Sequence, residues 1–335
     1  MKDVAREANV SVATVSNFLN GKKVRPKAAK DIDLAIKKLN YVRNNTARFL
    51  KTQRSAFVVF VVPSVWSPFF SELTFWVQKY LDNLGYKMVL CVSENDYQKE
   101  KSYVTMAEEQ RVAGILSISY SDLTSHVHSD IPLVSIEKES TGQFSLVSSD
   151  NYEGGKIAAK ELNERNIDKY IFIGSANHSS VEMNARKAGF IDYCNNHGLK
   201  FEIAEVDSQT DDKEKIDSLI DEISNNGKKY GIFAHTDEIA LILTQKFRDA
   251  GIKIPEQVQI IGFDGWKLTP DTHLTISTIR QNIEEIAKTA VEQLHKEMED
   301  PDHREISRLM IPVTFRAGDT LTTLPSSTGN TVPST

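Results

Sequence analysis

Residues Ser11–Asn20 read SVATVSNFLN. Ser11 is a strong N-cap type, because its hydroxyl can accept an orphan backbone N–H near Thr14. Val15, Phe18 and Leu19 fall at i, i+3 and i+4, the inward stripe of a short helix. Val12, Ala13, Thr14, Ser16 and Asn17 are left outward. A solvated helix face usually carries Lys and Glu, whereas this one is small, polar and uncharged. Such a face can lie close against base edges in a major groove. The plainer alternative is a two-helix packing element. Upstream, Val4, Ala5 and Ala8 share one face of a first short helix, with Asn9-Val10 as the turn. Downstream, Pro26–Leu39 predicts a third helix, with Pro26 where a missing N–H costs little. Its inward stripe is Ala28, Ala29, Ile32, Ala35, Ile36 and Leu39. Lys22, Lys23, Arg25, Lys27 and Lys30 cluster at its start, suited to phosphates rather than bases. Residues 1–43 therefore read as a small all-α helix-turn-helix domain.

Charge supports this reading. The formal net charge is −6, but residues 1–54 hold 13 Lys/Arg against 4 Asp/Glu. A basic end on an acidic body points to a polyanion partner for that end alone. The 335 residues allow two or three domains with real cores. Two cysteines far apart, Cys91 and Cys194, fit a reducing compartment and offer neither a disulfide framework nor a zinc site. No apolar signal segment opens the chain and no apolar run is long enough to span a bilayer. The expectation is a cytoplasmic, nucleoid-associated protein without membrane, metal or cofactor.

Asn44–Lys51 (NNTARFLK) has too few apolar groups to be a stable helix alone. Residues 44–55 read as a linker, or as a hinge that orders on DNA with Arg48 near phosphate and Leu50 as a minor-groove wedge. From Phe57 the texture becomes α/β. Strand signals lie at 57–62, 87–92, 114–118, 133–136, 170–173, 201–206, 231–234 and 258–262. Amphipathic helices lie between them, near 70–84, 98–110, 152–166, 181–196, 212–225, 238–250 and 283–299. Continuous apolar strands alternating with such helices mean parallel sheets covered on both faces. About nine strands exceed one small sheet, so two subdomains are expected. The Ser/Thr/Pro-rich stretch 322–335 reads as a disordered tail.

Ligands in such folds sit beyond the carboxyl ends of the strands. There the sequence places Trp66, Phe69 and Phe70, then Glu137-Lys138, then His235-Thr236-Asp237, then Asp264, with Arg186 early in a helix. Aromatic faces beside carboxylates and an Arg suit a polyhydroxylated ligand. Each has a plainer alternative: core for Phe69 or Phe70, capping or turn duty for Asp237 and Asp264, surface charge for Arg186. Gly154-Gly155 is too weak to count as a phosphate loop. His126 and His128 read as a surface feature. No nucleophile elbow, HExxH or P-loop is present, so no enzyme is expected.

The motifs KDVAREANVSVATVSNFLNG, YVRNNTARFLK, VVPSVWSPFFSEL, SSDNYEGGKIAA, ARKAGF, FAHTDEIA, IIGFDGW and TISTIRQ together resemble the LacI/GalR family of bacterial transcription regulators, over about residues 1–320. The resemblance implies a homodimer on a pseudo-palindromic double-stranded operator, repressing a carbohydrate-utilisation operon. It also implies a periplasmic-binding-protein-like effector domain over 56–321. The N-subdomain would span about 56–149 and 281–308, the C-subdomain about 150–280 and 309–321, with the ligand between them.

By motif, Val12, Ala13 and Asn17 resemble base-reading positions, and Ser11, Thr14 and Ser16 positions near phosphate. Leu50 resembles the hinge leucine. Phe69, Phe70, Arg186, Thr236 and Asp264 resemble ligand contacts, with Glu137 and Lys138 beside them. Asn17 stands where the family usually has Arg, and an amide favours adenine. Thr236 replaces a usual Asn, and Glu137-Lys138 a usual Asp-Arg. Lys138 with Arg186 could pair a carboxylate or phosphate, so sugars, sugar acids and phosphosugars all remain as effectors. The alternative is the same regulator controlled by a protein partner or by a nucleobase.

Overall fold

The run FVVFVV at 57–62 has no polar residue, as a strand covered on both faces requires. It forms β1 (Phe57–Val62), buried at every position but the first. The computed structural model describes residues 2–19, 23–39, 41, 55–119, 127, 131–138, 143–175, 181–206, 213–266, 273–300 and 305–324. The chain divides into two units, Met1–Ser55 and Ala56–Thr335.

The first unit holds α1 (Lys2–Glu7), α2 (Val12–Leu19) and α3 (Pro26–Lys38). Val4, Ala5, Ala8, Val15, Ile32 and Ala35 form its core, with Val10, Phe18, Ile36 and Tyr41 packed against them. Leu39, expected inward, follows the end of α3 and is exposed, because the chain leaves the helix there.

In the second unit, β1 is followed by α4 (Pro68–Asn83), β2 (Lys87–Val92), α5 (Tyr97–Glu109), β3 (Gly114–Ser117), β4 (Leu133–Ile136) and β5 (Ser145–Ser149). The chain then crosses over to α6 (Asn151–Asn163), β6 (Lys169–Ser175), α7 (Val181–Asn196), β7 (Phe201–Val206), α8 (Lys213–Asn226), β8 (Tyr230–Ala234), α9 (Asp237–Asp249), β9 (Val258–Asp264) and β10 (Ser277–Arg280). It returns through α10 (Ile283–Glu299) and β11 (Arg308–Ile311), and ends in β12 (Thr314–Arg316). Two six-stranded sheets result, ordered β11-β5-β4-β3-β1-β2 and β12-β10-β9-β8-β6-β7. The pairings are parallel except β10 with β12.

Four strands beyond those expected appear: β5, β10, β11 and β12. All four are at most five residues long and β5, β10 and β12 are rich in polar residues, so none offers the long apolar run that marks a buried strand. In β5 the buried hydroxyls find partners instead: Ser145 Oγ donates to Glu297 Oε1 at 2.6 Å and Ser149 Oγ to Gln281 Oε1 at 2.6 Å. Since β11 pairs with β5, the N-subdomain runs on through Ile311, past the expected end near 308. Thr322 is no part of a loose tail: its N–H and hydroxyl both donate to Gln259 Oε1. Residues 325–335 lie outside the described residues, as do His126 and His128.

The N-subdomain core lies between its sheet and α4 and α10, whose Ile283, Ile286, Ala287, Ala290, Val291 and Leu294 are all buried. Two further apolar clusters flank the C-subdomain sheet. Both sheets present their strand carboxyl ends to one cleft.

Candidate functional site

On α2, Ser11 acts as expected, its Oγ accepting the Thr14 N–H at 3.0 Å. Ser11 Oγ and Thr14 Oγ1 are also 2.8 Å apart. Val12 is 44 % exposed, and Ala13 and Asn17 are exposed, while Thr14 and Ser16 are half-buried. The face is small and uncharged, flanked by exposed Lys23, Arg25, Lys27 and Lys30. Lys22, Arg48 and Leu50 lie outside the described residues.

The second site is the cleft of the larger unit, a cavity of about 560 Å³. Phe69, Phe70, Glu137, Lys138, Arg186, Thr236 and Asp264 all line it. These residues come from five separate stretches of sequence and meet only because both sheets end there. Their local roles differ. Phe69 is also core, and packs edge-on to Phe70 with centroids 5.2 Å apart. Thr236 caps α9, its hydroxyl accepting the Ile239 N–H at 3.3 Å.

Arg186 is the hub of the floor. It is 5 % exposed. Its Nε donates to Asn151 Oδ1 at 2.7 Å and its Nη1 to the His235 carbonyl at 2.8 Å. Its guanidinium lies 3.5 Å over the Phe263 ring, and Nη1 is 3.8 Å from Asp264 Oδ1. Two glycines bring α7 this close. A Cβ on Gly155 would strike the Arg186 carbonyl oxygen, and one on Gly189 would strike that of Tyr152. Gly155 is thus a packing residue of the α6–α7 crossing.

Asp264 ends β9 with φ +114°, a backbone that L-residues rarely adopt. Such strain costs about 1–3 kcal/mol and persists only where the surroundings enforce it. Gln281 Nε2 donates to Asp264 Oδ1 at 2.6 Å. Burial pushes the Asp264 carboxyl up to about 7; Arg186 and Gln281 oppose the rise, and Glu137 and Glu238 add to it. Asp237 lies behind, its Oδ2 accepting the Gly265 N–H at 2.7 Å. Burial, and then Asp264, hold it well above the usual carboxylate range.

Glu137 is turned toward the crossover. Its Oε1 accepts the Ser149 N–H at 2.5 Å and its Oε2 accepts from Asn151 Nδ2 at 3.1 Å. One hydrogen-bonded chain therefore runs from Glu137 through Asn151 to Arg186, and from Ser149 through Gln281 to Asp264. It ties the floor to two of the three crossovers. Arg280 adds a clasp: its two Nη atoms donate to the Glu72 carboxylate at 2.6 and 3.2 Å, and Nη1 to the Gly265 carbonyl at 2.7 Å.

Gln281, Trp266, Leu241 and Ile242 line the cavity without being expected there. Gln281 ends the TISTIRQ motif, but its residue type and position give it no site role in the sequence alone. Leu241 and Ile242 did carry a signal: they fall off the inward stripe Ile239, Ala240, Leu243 and Phe247, where an amphipathic helix should be polar. Among the described residues no group of three His, Cys, Asp or Glu side chains could hold a metal, and no helix is long and apolar enough to cross a membrane.

Comparison with known proteins agrees with the fold of both units. The model of bacterial regulatory proteins of the lacI family matches residues 1–44, and that of a periplasmic binding protein-like domain matches residues 159–321. The sucrose operon repressor of Streptococcus mutans is 30 % identical over 325 residues, covering 96 % of this chain and 99 % of that one. A periplasmic binding protein/LacI transcriptional regulator from Alkaliphilus metalliredigens, complexed with D-xylulofuranose, is 28 % identical, with a TM-score of 0.70 over 80 % of this chain and 100 % of that one. The lac repressor dimer bound to operator, at 18 % identity, shares the fold over 96 % of this chain and 98 % of that one, with a TM-score of 0.79. With the helix-turn-helix unit, the paired parallel sheets and a full-length relative at this identity, the chain belongs to the LacI family of bacterial regulatory proteins.

Proposed function

We propose that the protein is a cytoplasmic repressor of a carbohydrate-utilisation operon, and that a neutral sugar in the cleft sets its affinity for a pseudo-palindromic operator. The observation that carries the effector half is the floor itself. Buried Arg186 and Gln281, with the nearly buried Asp264, present a donor and acceptor array beside Phe69 and Phe70. Hydroxyls can both donate to and accept from such groups, while sugar C–H faces pack on rings. Glu137 and Glu238 match Arg186 and Lys138 around the cavity, and Asp264 adds negative charge as it ionises, so the lining has no excess of positive charge to favour a sugar acid or phosphosugar. The Streptococcus mutans relative is named for sucrose, and the Alkaliphilus metalliredigens neighbour holds D-xylulofuranose. Both are neutral carbohydrates.

In the proposed complex, a homodimer sets two copies of α2 in successive major grooves. Val12, Ala13 and Asn17 read bases, and Ser11, Thr14, Ser16 and the Lys22–Lys30 cluster hold phosphates. Arg48 and Leu50 belong to the hinge. The protein carries out no reaction of its own. A thermal-shift panel of neutral sugars, sugar acids, phosphosugars and nucleobases tests the effector. A ligand at about 100 times its Kd adds roughly 2.7 kcal/mol to stability. Neutral sugars should raise Tm by several degrees, and Arg186→Ala should abolish the rise. A shift produced only by anionic ligands or nucleobases would overturn the reading, and none from any class would favour control by a protein partner.

A further inference from the structure

The cleft has a gradient of polarity with depth. At the floor sit Arg186, Asp264 and Gln281, all buried or nearly so. At the mouth the lining is apolar and open. Trp66 is 94 % exposed, Leu241 44 % and Ile242 45 %, with Trp266 beside them on the lining. Single exposed apolar residues need no explanation, but a set from both subdomains converging on one cavity does.

Trp66 is also held in place. Its backbone N–H donates to Ser64 Oγ at 3.0 Å, and the neighbouring Val65 carbonyl accepts from Ser71 Oγ at 2.6 Å. Both bonds hold the Val65–Trp66 peptide in place while the Trp66 ring stands in solvent. An exposed indole on an anchored backbone at a cavity mouth offers a stacking face to a ligand ring.

Volume points the same way. The cavity is about 560 Å³. A single pyranose, about twelve non-hydrogen atoms at roughly half of liquid water's ~30 Å³ each, fills about a third of it. A hexose on the floor would leave the mouth empty and Trp66 without a partner.

We infer that the effector is a neutral two-ring glycoside, a disaccharide or an aryl glycoside, with one sugar ring on the polar floor and the second ring against Trp66, between it and Leu241 and Ile242. Trp66 is then the residue that sets effector length. This rests on the cleft being a sugar site, as proposed above, and adds an outer subsite to it.

Isothermal titration of the full chain tests it with matched probes: glucose, fructose and galactose against sucrose, maltose, cellobiose and their 4-nitrophenyl glycosides, with wild type, Trp66→Ala and Trp66→Phe. At least one two-ring probe should bind ten times or more tighter than its own monosaccharide. Trp66→Ala should cut that ratio about tenfold, the worth of an aromatic contact, and Trp66→Phe should keep most of it. If monosaccharides bind as tightly as every two-ring probe, or if the ratio survives Trp66→Ala, the outer subsite is overturned and the sugar site stands. If no sugar of either size binds, both fall.

Discussion

Asp264 is strained in its backbone, buried, and surrounded by more carboxylates than cations, and its titration should be visible in stability. Its ordinary value of 3.8 is raised to about 7, first by burial. The folded state therefore keeps protons that the unfolded chain has lost above about pH 4. Unfolding free energy must then fall as pH rises from about 4 to about 7, and level off beyond. Asp264→Asn removes this penalty and also relieves Asp237, whose value Asp264 helps to raise. Melting curves across pH 5–8 should show the variant gaining on wild type as pH increases; a constant difference would refute the assignment. Asn17, exposed on α2, should prefer adenine at its base step. Selection from a randomised operator should return A·T there, and Asn17→Arg should switch it to G·C, each by about 1–3 kcal/mol. An unchanged selection would remove Asn17 from the reading face. Placement just after a strand or early in a helix brought nine cleft residues to notice, Trp66 and His235 among them, because that is the ligand side of an α/β fold. Gln281 escaped, since an amide after a polar strand carries no mark until the crossover folds it against Asp264.

The elements were legible where hydrophobic period was strong. The eight apolar strands and the intervening helices could be read because burial on both faces demands continuous apolar runs. The four missed strands are short, and the hydroxyls of β5 meet side-chain partners across the crossovers, a long-range fact no local window holds. The glycine pair in DNYEGG is a similar case. It resembles a failed phosphate loop in sequence, but Gly155 and Gly189 let α6 and α7 touch backbone to backbone and so place Arg186. Gly189→Ala should cost about 1–3 kcal/mol through overpacking. It should also move Arg186 and weaken sugar binding beyond what the stability loss explains. Thermal melts with titration of the same variant check both; native stability with native affinity would show the contact is slack.

At the scale of the molecule, three crossovers join the subdomains, and the floor's hydrogen bonds run directly into two of them. In the proposed complex a ligand on Arg186 and Asp264 would press on the segments about which the subdomains would turn, and the Arg280–Glu72 clasp joins α4 of one subdomain to the Gly265 loop of the other. In the proposed mechanism this is the physical route from sugar to operator, and the resulting coupling is a free energy shared equally by both ligands. The decisive measurement is a pair of titrations on the full chain: a selected operator with and without the tightest sugar of the panel, and that sugar with and without operator. Operator affinity should change by about 5–150-fold, and sugar affinity by the same factor. Operator and sugar affinities that each ignore the other ligand would contradict the claim that this is a sugar-responsive regulator.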